Sequence, residues 1–256
     1  MNVSLPHALA VWRRNAAMYR RTWKFNILPN FFEPVFYLTA VGIGVGAYID
    51  QMAGMSYVQF LAPALVCVAA MNGASYEVTY NVFVRLSFER AYDAMLTTPV
   101  EPEDVVIGEA LWAVTRASIY GGAFLIITVV FGLAPLPGAL AALAIVPLAG
   151  LLFAAIGLVF TFFVETLDLY SFYFTLFLTP LFLFADVFFP LEERLSGVGL
   201  WVAEVLPLLH PVRLARAAYG ADVAVATSLW DLVYCVALIG VLLVVAMRRA
   251  RQRLTA

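Results

Sequence analysis

Six ionisable side chains interrupt long apolar stretches of the sequence, and they are the residues with the clearest potential for chemistry. If those stretches lie in a membrane, each charge costs several kcal/mol (roughly 2.5 to 3.5 kcal/mol for arginine on insertion scales) unless it is paired or hydrated. Such residues form ion pairs, line hydrated paths or carry protons. The six are Glu33, Glu77, Glu109, Arg116, Asp186 and Asp231.

Glu33 and Arg116 are predicted to lie at similar depths in the membrane. Counted along helices that enter from the same side, they lie about 12 Å and about 17 Å deep. The sequence therefore predicts an ion pair between the first and third spans. The alternative is that each of them, like Glu77, lines a hydrated path alone. Asp186 and Asp231 lie nearer the opposite surface, where we expect them to be interfacial.

The sequence contains none of the enzyme motifs for which we searched. No G-x-x-x-x-G-K-[ST] phosphate loop, G-x-S-x-G, H-E-x-x-H or paired-cysteine motif occurs. Cys67 and Cys235 lie in apolar stretches and are expected to pack there. His210, one of two histidines, has no carboxylate or cysteine near it in the sequence. We therefore predict no catalytic residue, no metal site and no cofactor bound by this chain.

Composition places the chain in a membrane. Of its 256 residues, 64% are hydrophobic and only 12% are charged, about half the charged share of a soluble domain. The uncharged stretch 117–164 is far too long for one span, and the APLPG sequence at 134–138 is the expected turn. We predict a single all-α membrane domain over residues 1–256. Its six transmembrane helices are predicted at 25–49, 57–83, 105–132, 138–163, 168–189 and 228–247.

The basic residues set the expected orientation. Eleven of the fifteen Lys and Arg residues fall on the side that carries both termini, and three fall on the other side. Because positive residues are retained in the cytoplasm, both termini are predicted to be cytoplasmic. The apolar run before the first arginines is too short for a cleaved signal, so the first span is expected to be an uncleaved anchor.

Three segments outside the spans could carry mechanism. Residues 1–24 combine an apolar stripe with basic residues, which predicts an amphipathic helix in the membrane interface. Residues 84–104 form a cytoplasmic segment with mixed charges, suited either to docking a soluble partner or to a solvated connection. Helix 105–132 is expected to begin near Pro102. Residues 190–227 are expected to re-enter the membrane from outside, with a break around Pro207 and Pro211.

Several motifs, in order along nearly the whole chain, resemble those of type-2 ABC exporter permeases, above all the nodulation lipo-oligosaccharide exporter branch. They are FEPVFYL at 32–38, GIGVG at 42–46, FER at 88–90, DAML at 93–96, GEALWA at 108–113, TRAS at 115–118, LTP at 178–180, FFP at 188–190 and LPLLHP at 206–211.

The resemblance implies a homodimeric permease in the bacterial inner membrane, with a separate ATPase subunit that binds ATP and magnesium. It implies that the helix between spans two and three docks into that ATPase. The coupling residues implied are Phe88, Glu89, Arg90, Tyr92, Asp93 and Met95. The aromatic residues implied to border the export path are Phe36, Tyr37, Tyr170, Tyr173 and Phe177, and Pro207 and His210 are assigned to an outer lid.

The substrate stays open at this stage. Drugs, lipids, lipo-oligosaccharides and polysaccharides are all carried by this architecture, and the sequence favours a large amphiphile. One alternative is a secondary transporter driven by an ion gradient through Glu33 or Glu77. Another is an intramembrane lipid-modifying enzyme, which would need clustered catalytic groups. We expect membrane lipids as partners and no nucleic acid.

Overall fold

The computed structural model describes residues 3–46, 48–49, 51–191 and 195–255, with residues 25–31 described by their backbone only. Apart from one hairpin with two strands of two residues each, the regular structure of the described residues is helical, as predicted. The helices are α1 Leu5–Gly44, α2 Tyr57–Phe88, α3 Ala91–Leu96, α4 Pro102–Val130, α5 Leu136–Phe163, α6 Leu167–Phe184, α7 Val198–Ala203, α8 Leu209–Ala218 and α9 Val225–Leu254.

Five helices, α2, α4, α5, α6 and α9, are long and apolar enough to cross a membrane. They correspond to predicted spans two to six. The first predicted span, 25–49, coincides with the second half of α1, where residues Phe32–Gly44 form a shorter apolar helix. The protein is therefore an all-α membrane protein. Residues 192–194 of the predicted outer segment lie outside the described residues.

α1 joins the predicted amphipathic helix and the first predicted span into one 40-residue helix. One face of its N-terminal half packs on α4: Ala8 and Val11 are buried, and a Cβ at Gly108 would lie only 2.5 Å from Val11 Cβ. Trp12, which belongs to the predicted apolar stripe, donates from its indole to Thr115 Oγ1 at 3.0 Å. The stripe is therefore covered by protein only in part, since Leu5 and Trp23 are exposed.

A short hairpin connects α1 to α2 at one end of the bundle. β1 Gln51–Met52 pairs antiparallel with β2 Met55–Ser56, and Gly54 takes a positive φ of 77° at the turn. Ser56 then caps α2, since its hydroxyl accepts from Gln59 N at 3.4 Å while the Gln59 side chain accepts from Ser56 N. We call this end of the bundle the far end.

The opposite end holds both termini, α3, and the start of α4, and we call it the basic end. Ser4 N donates to Asp104 Oδ1 at 2.7 Å, and Arg251 Nε donates to Glu103 Oε1 at 2.7 Å. Pro102 is the first residue of α4, as predicted, and its acidic first turn attracts these donors. The N-terminal helix and the C-terminal tail are thus both attached to α4.

The second span extends to Phe88, five residues beyond its predicted end, and includes two π-helical stretches, Glu77–Asn81 and Val84–Phe88. These wider turns rotate the side chains that follow, a feature often found at functional sites. The chain then bends through Arg90, whose φ of 48° lies in the left-handed region, before α3 begins. α3 therefore stands off the end of α2 as a separate short helix.

α4 and α5 form the centre of the bundle. α4 packs against α1, α2 and α5, and α5 packs against α9. Close approach is achieved with glycines: a Cβ at Gly150 would lie 2.4 Å from Ala117 Cβ, and one at Gly157 would lie 2.3 Å from Val78 Cγ2. At the far end, α8 packs against α2, α5 and α9.

Candidate functional site

Arg85 is the centre of a buried charge network near the basic end. Its Nη2 donates to Glu77 Oε1 at 2.7 Å and to Glu109 Oε2 at 2.9 Å. The Glu109 side chain is fully buried and that of Glu77 is 2% exposed. Because an unpaired buried charge is strongly destabilising, the two carboxylates depend on the arginine that joins them. The network links α2 to α4.

Arg116 extends the network toward the membrane centre. Its Nε lies 3.4 Å from Glu77 Oε2, and its Nη2 donates to the Tyr120 hydroxyl at 3.2 Å. The predicted partner was Glu33, and the structure gives Arg116 a different carboxylate. The physical reason is packing: Glu77 and Arg116 face each other across the contact between α2 and α4, whereas Glu33 is exposed on α1.

Glu33 borders a cavity of about 220 Å³ between α1, α2 and α4. Asn72, Tyr76 and Tyr120 contribute the other polar side chains of its lining. The Glu33 carboxylate therefore has a polar surrounding without a basic partner among the described residues. This arrangement is compatible with the predicted hydrated path, which stays a prediction.

Tyr92 connects α3 to the network. Its hydroxyl donates to Glu109 Oε1 at 2.8 Å, and the side chain is completely buried. Burial, and then the adjacent Glu109 carboxylate, raises the pKa of Tyr92 well above its ordinary value, so the hydroxyl stays protonated and keeps donating. Asn15 Nδ2 donates to the other oxygen of Glu109 at 2.9 Å. One carboxylate thus joins α1, α2, α3 and α4.

The remaining predicted coupling residues divide by exposure. Phe88 is 70% exposed, and Glu89, Arg90 and Asp93 are also exposed, whereas Met95 is partly buried. Tyr92, one of the predicted coupling residues, points into the protein and anchors α3. The end of α2 and the bend before α3 consequently present two exposed charges and one exposed aromatic ring, Phe88, and α3 adds Asp93.

The predicted pathway aromatics are split between a packed layer and an open surface. Tyr170 and Tyr173 are buried: Tyr170 packs edge-on against Phe83 at 5.1 Å, and the Tyr173 hydroxyl lies 3.3 Å from Ser75 Oγ. Phe177 is partly buried against Tyr173. On α1, Phe36 is 67% exposed and Tyr37 is partly buried. On α6, the open surface is formed instead by residues such as Phe172 and Leu176.

A second charge cluster lies buried at the far end. Arg213 donates to both carboxylate oxygens of Glu204, at 2.6 and 3.0 Å, and its Nε donates to Asp231 Oδ2 at 2.9 Å. His210 Nδ1 lies 2.7 Å from Asp231 Oδ1. The hydrogen bond from Arg213 holds the pKa of Glu204 below its usual range.

One sequence expectation is wrong here. His210, which has no carboxylate near it in the sequence, pairs with Asp231, and both side chains are fully buried. Asp186 likewise forms an ion pair with Arg216, whose guanidinium lies 3.7 Å from the centre of the Phe60 ring. The expectation that Asp186 and Asp231 lie near the membrane surface stays a prediction. Folding brings α8 against α2 and α9, so acids from distant parts of the chain meet basic residues of one helix.

Glu204, His210 and Asp231 could together offer three ligand atoms to a metal ion, since these atoms lie within 4.8 Å of one another. Arg213, however, donates to both of the carboxylates. The positive charge that a metal would supply is therefore already provided by a guanidinium. We interpret the cluster as an ion-pair and hydrogen-bond network that fastens α8 to α9.

Arg85 was not recognised as a membrane-embedded charge from the sequence, because it was assigned to the segment after the second span. A signal was nevertheless available. Glu77, Asn81 and Arg85 follow one another at intervals of four, which places them along one face of a helix. Asn81 Nδ2 indeed donates to Glu77 Oε2 at 2.8 Å.

The helices, the buried charge network and the projecting α3 define a multi-pass membrane protein of the transporter class. Residues 7–219 match the family model of the ABC-2 type transporter. The chain belongs to the ABC-2 type transporter family. It is thus the membrane-spanning permease subunit of an ABC system and not itself an enzyme, since ATP is hydrolysed in these systems by a separate subunit.

Curated relatives agree with this assignment. The chain is 36% identical to nodulation protein J of Rhizobium leguminosarum bv. viciae, over 81% of this chain and 80% of that protein. It is 34% identical to nodulation protein J of Sinorhizobium fredii, over 82% and 80%. It is 26% identical to the inner membrane transport permease YadH of Escherichia coli, over 71% of each chain.

Proposed function

We propose that this chain forms the export path for an amphiphilic substrate, lipid-linked or glycan in nature, across a bacterial inner membrane. In this arrangement both termini and α3 face the cytoplasm. The similarity to an inner membrane transport permease and to nodulation proteins J supports the location and the class of cargo. Of the substrates that the sequence left open, a lipo-oligosaccharide is therefore favoured over a small drug.

One observation carries the proposal: the buried network that begins at Tyr92 of α3. Tyr92 bonds to Glu109, Glu109 to Arg85, and Arg85 to Glu77. A displacement of α3 by a partner is thereby transmitted to the two spans that carry these carboxylates. Buried ion pairs resist separation, because pulling them apart exposes an uncompensated charge to an apolar interior.

The partner that would displace α3 is an ATP-binding-cassette ATPase, which binds ATP and magnesium. The exposed Phe88, Glu89, Arg90 and Asp93 are the residues of α3 and its approach that are available to it. Arg14 of α1 lies 3.4 Å from Glu89, so the N-terminal helix is positioned to form part of the same docking surface. Met95 and Tyr92 support this surface from within.

Two copies of the chain are proposed to enclose the path. The exposed aromatic face of α1, which includes Phe32 and Phe36 stacked at 5.9 Å, together with Tyr76 of α2, offers flat apolar contacts for sugar rings and acyl chains. In this arrangement the more buried Tyr170, Tyr173 and Phe177 lie behind the residues that line the path and shape it indirectly. Pro207 and His210 hold the outer lid, because His210 is bound to α9 through Asp231.

Ion-gradient transport is disfavoured because Glu77, one of its two candidate carboxylates, is already ion-paired. Glu77 lies between Arg85 and Arg116, so its carboxylate is occupied by two guanidinium groups and does not face an open path. Glu33 remains as the only one of the pair with an open polar cavity beside it.

Reconstitution separates these mechanisms. The chain and its ATPase are placed in proteoliposomes, and uptake of a fluorescent lipo-oligosaccharide is measured with ATP or with an imposed proton gradient. We expect uptake only with ATP, and weaker uptake of the same oligosaccharide after its acyl chain is removed. Transport by the chain alone, driven by the gradient, would contradict the proposal.

A further inference from the structure

A basic cavity lies at the basic end of the bundle, where α5 and α9 terminate. It has a volume of about 290 Å³, and its lining includes Arg249, Gln252 and Arg253. The Arg249 guanidinium carbon lies over the Phe163 ring, 3.9 Å from its centre, and Nη1 donates to Gln252 Oε1 at 2.9 Å. Its Nε is buried without a hydrogen-bond partner among the described residues.

The second arginine of the cavity is held rigidly. Arg253 Nη1 donates to the carbonyl oxygens of Thr161 and Val164, at 2.6 and 2.7 Å, and so closes the C-terminal end of α5. Glu165 at the edge is the acidic residue of the lining. With two arginines against one glutamate, the cavity carries a net positive charge and would attract an anionic group.

An apolar groove of about 490 Å³ adjoins this cavity, and Phe163 lines both. The groove runs between α5, α6 and α9, and its walls are Ile156, Val159, Phe160, Phe163, Phe172, Tyr173, Phe177 and Leu242. Leu242, Arg249 and Arg253 lie on one face of α9, because intervals of seven and eleven residues return to the same side of a helix. The groove therefore lies on the membrane side of the basic cavity.

We propose that this composite site binds one anionic phospholipid from the leaflet at the basic end. The phosphate would sit against Arg249 and Arg253, and one acyl chain would lie in the groove along Leu242. Charge complementarity selects the headgroup, and the continuity of the two surfaces at Phe163 selects a lipid over a free anion. A basic recess at the cytoplasmic surface of a membrane protein is a recognised type of lipid headgroup site.

The bound lipid would fasten α9 to α6 without touching the charge network around Arg85. In contrast to the mobile lipid that surrounds any span, it would be retained through purification. Neither the ATPase nor the exported substrate is required for its binding. The proposal can therefore be tested on the full chain alone, and its failure would leave the proposed export function unaffected.

Native mass spectrometry of the full chain in detergent provides the test. Phosphatidylglycerol and phosphatidylcholine with the same acyl chains are added, and the fraction of protein carrying one lipid is measured. The site variants are Arg249→Gln for the headgroup and Leu242→Trp for the groove. Their matched controls are the exposed neighbours on the same helix, Arg248→Gln and Val241→Trp.

Phosphatidylglycerol is expected to bind more tightly than phosphatidylcholine, and Arg249→Gln to weaken its binding by about fivefold. Leu242→Trp is expected to weaken binding of both lipids, with little effect of either control. Equal weakening by Arg248→Gln and Arg249→Gln would indicate unspecific surface attraction and overturn the site. Displacement by inorganic phosphate, combined with no effect of Leu242→Trp, would show an anion site and overturn the lipid assignment.

If Arg249→Gln fails to fold, a second charge variant that leaves Arg249 unchanged still tests the site. Glu165 is exposed, and Glu165→Gln removes the acidic residue at the edge of the cavity. This change is expected to tighten phosphatidylglycerol binding by about twofold, since opposing charge is lost within a Debye length. Unchanged or weaker binding would contradict the proposed position of the phosphate.

Discussion

The Tyr92 hydroxyl donates to Glu109 Oε1 at 2.8 Å, and both side chains are fully buried. This single contact joins a six-residue helix outside the membrane spans to a carboxylate that also binds Arg85 and Asn15. Asp93 on the outer side of this helix is exposed, whereas its anchor Tyr92 is internal. In the proposed mechanism, docking and transmission would therefore use different residues of this segment.

Tyr92→Phe should keep the ring in place and remove only the hydrogen bond to Glu109. A hydrogen bond to a charged group contributes about 1.5 to 3 kcal/mol, so a modest loss of thermal stability is expected. ATP hydrolysis by the assembled complex should continue, but transport per ATP should fall. Tyr48→Phe, at a tyrosine that is 91% exposed in the connection between α1 and α2, is the matched control and should change neither measurement.

Arg85→Met should be among the most destabilising single changes in the protein. It leaves Glu77 and Glu109 facing each other without the guanidinium between them, which costs roughly 3 to 5 kcal/mol for a broken buried pair. Adding Glu109→Gln should recover much of this loss, because Glu77 still has Arg116 beside it and Glu109 is the carboxylate that loses its basic partner. Thermal unfolding in detergent gives both values.

The control for Arg85→Met is Arg90→Gln, since Arg90 is exposed. Its effect on unfolding should stay within about 0.5 kcal/mol, as is usual for surface positions. If Arg85→Met were equally mild, the charge network would not be holding α2 against α4.

Gly108→Ala should loosen the contact between α1 and α4. The added Cβ would lie 2.5 Å from Val11 Cβ and 2.7 Å from the Ala8 carbonyl oxygen, so the helices must separate at a cost of about 1 to 3 kcal/mol. Faster proteolysis of the N-terminal half of α1 should accompany a lower unfolding temperature. Gly122→Ala on the same helix meets nothing within 4 Å and should be neutral or stabilising.

The far-end cluster should make stability depend on pH through Glu204. Its pKa is lowered in the folded protein by the Arg213 hydrogen bond, so its contribution is complete above the ordinary glutamate pKa of about 4.3 and is lost as the pH falls through the lowered value. The wild type should unfold at a higher temperature than Glu204→Gln at pH 7, and this difference should vanish in strong acid. Asp168→Asn, an exposed acid at the basic end, should show no such difference.

The sequence was sufficient to predict spans two to six and the helix that leaves the bundle between the second and third of them. These features depend on local properties: apolar length, charge distribution, and Pro102 at a helix start. The continuity of α1 was missed because an apolar stripe with basic neighbours does not reveal that Ala8 and Val11 beside it pack on Gly108 of a distant helix.

The charge pairings could not be predicted, since they depend on which helices pack together. Glu33 and Arg116 have suitable depths, yet Arg116 meets Glu77 because α2 and α4 are in direct contact. At the far end, His210, Arg213 and Arg216 follow one another at intervals of three residues. The sequence also contains acids on either side of them, among them Asp186, Glu204 and Asp231. That pattern could have indicated buried pairing of α8, although it does not specify the partners.

Assembly with the ATPase tests the central claim most directly. Arg90→Glu combined with Asp93→Arg reverses two exposed charges, one in the bend before α3 and one on α3, and Asp168→Arg is the control at another exposed acid of the basic end. After co-expression and affinity purification of the permease, the account predicts that the double variant is folded and loses the ATPase, while the control retains it. Retention of the ATPase at the wild-type ratio, with undiminished ATP-driven transport, would contradict it.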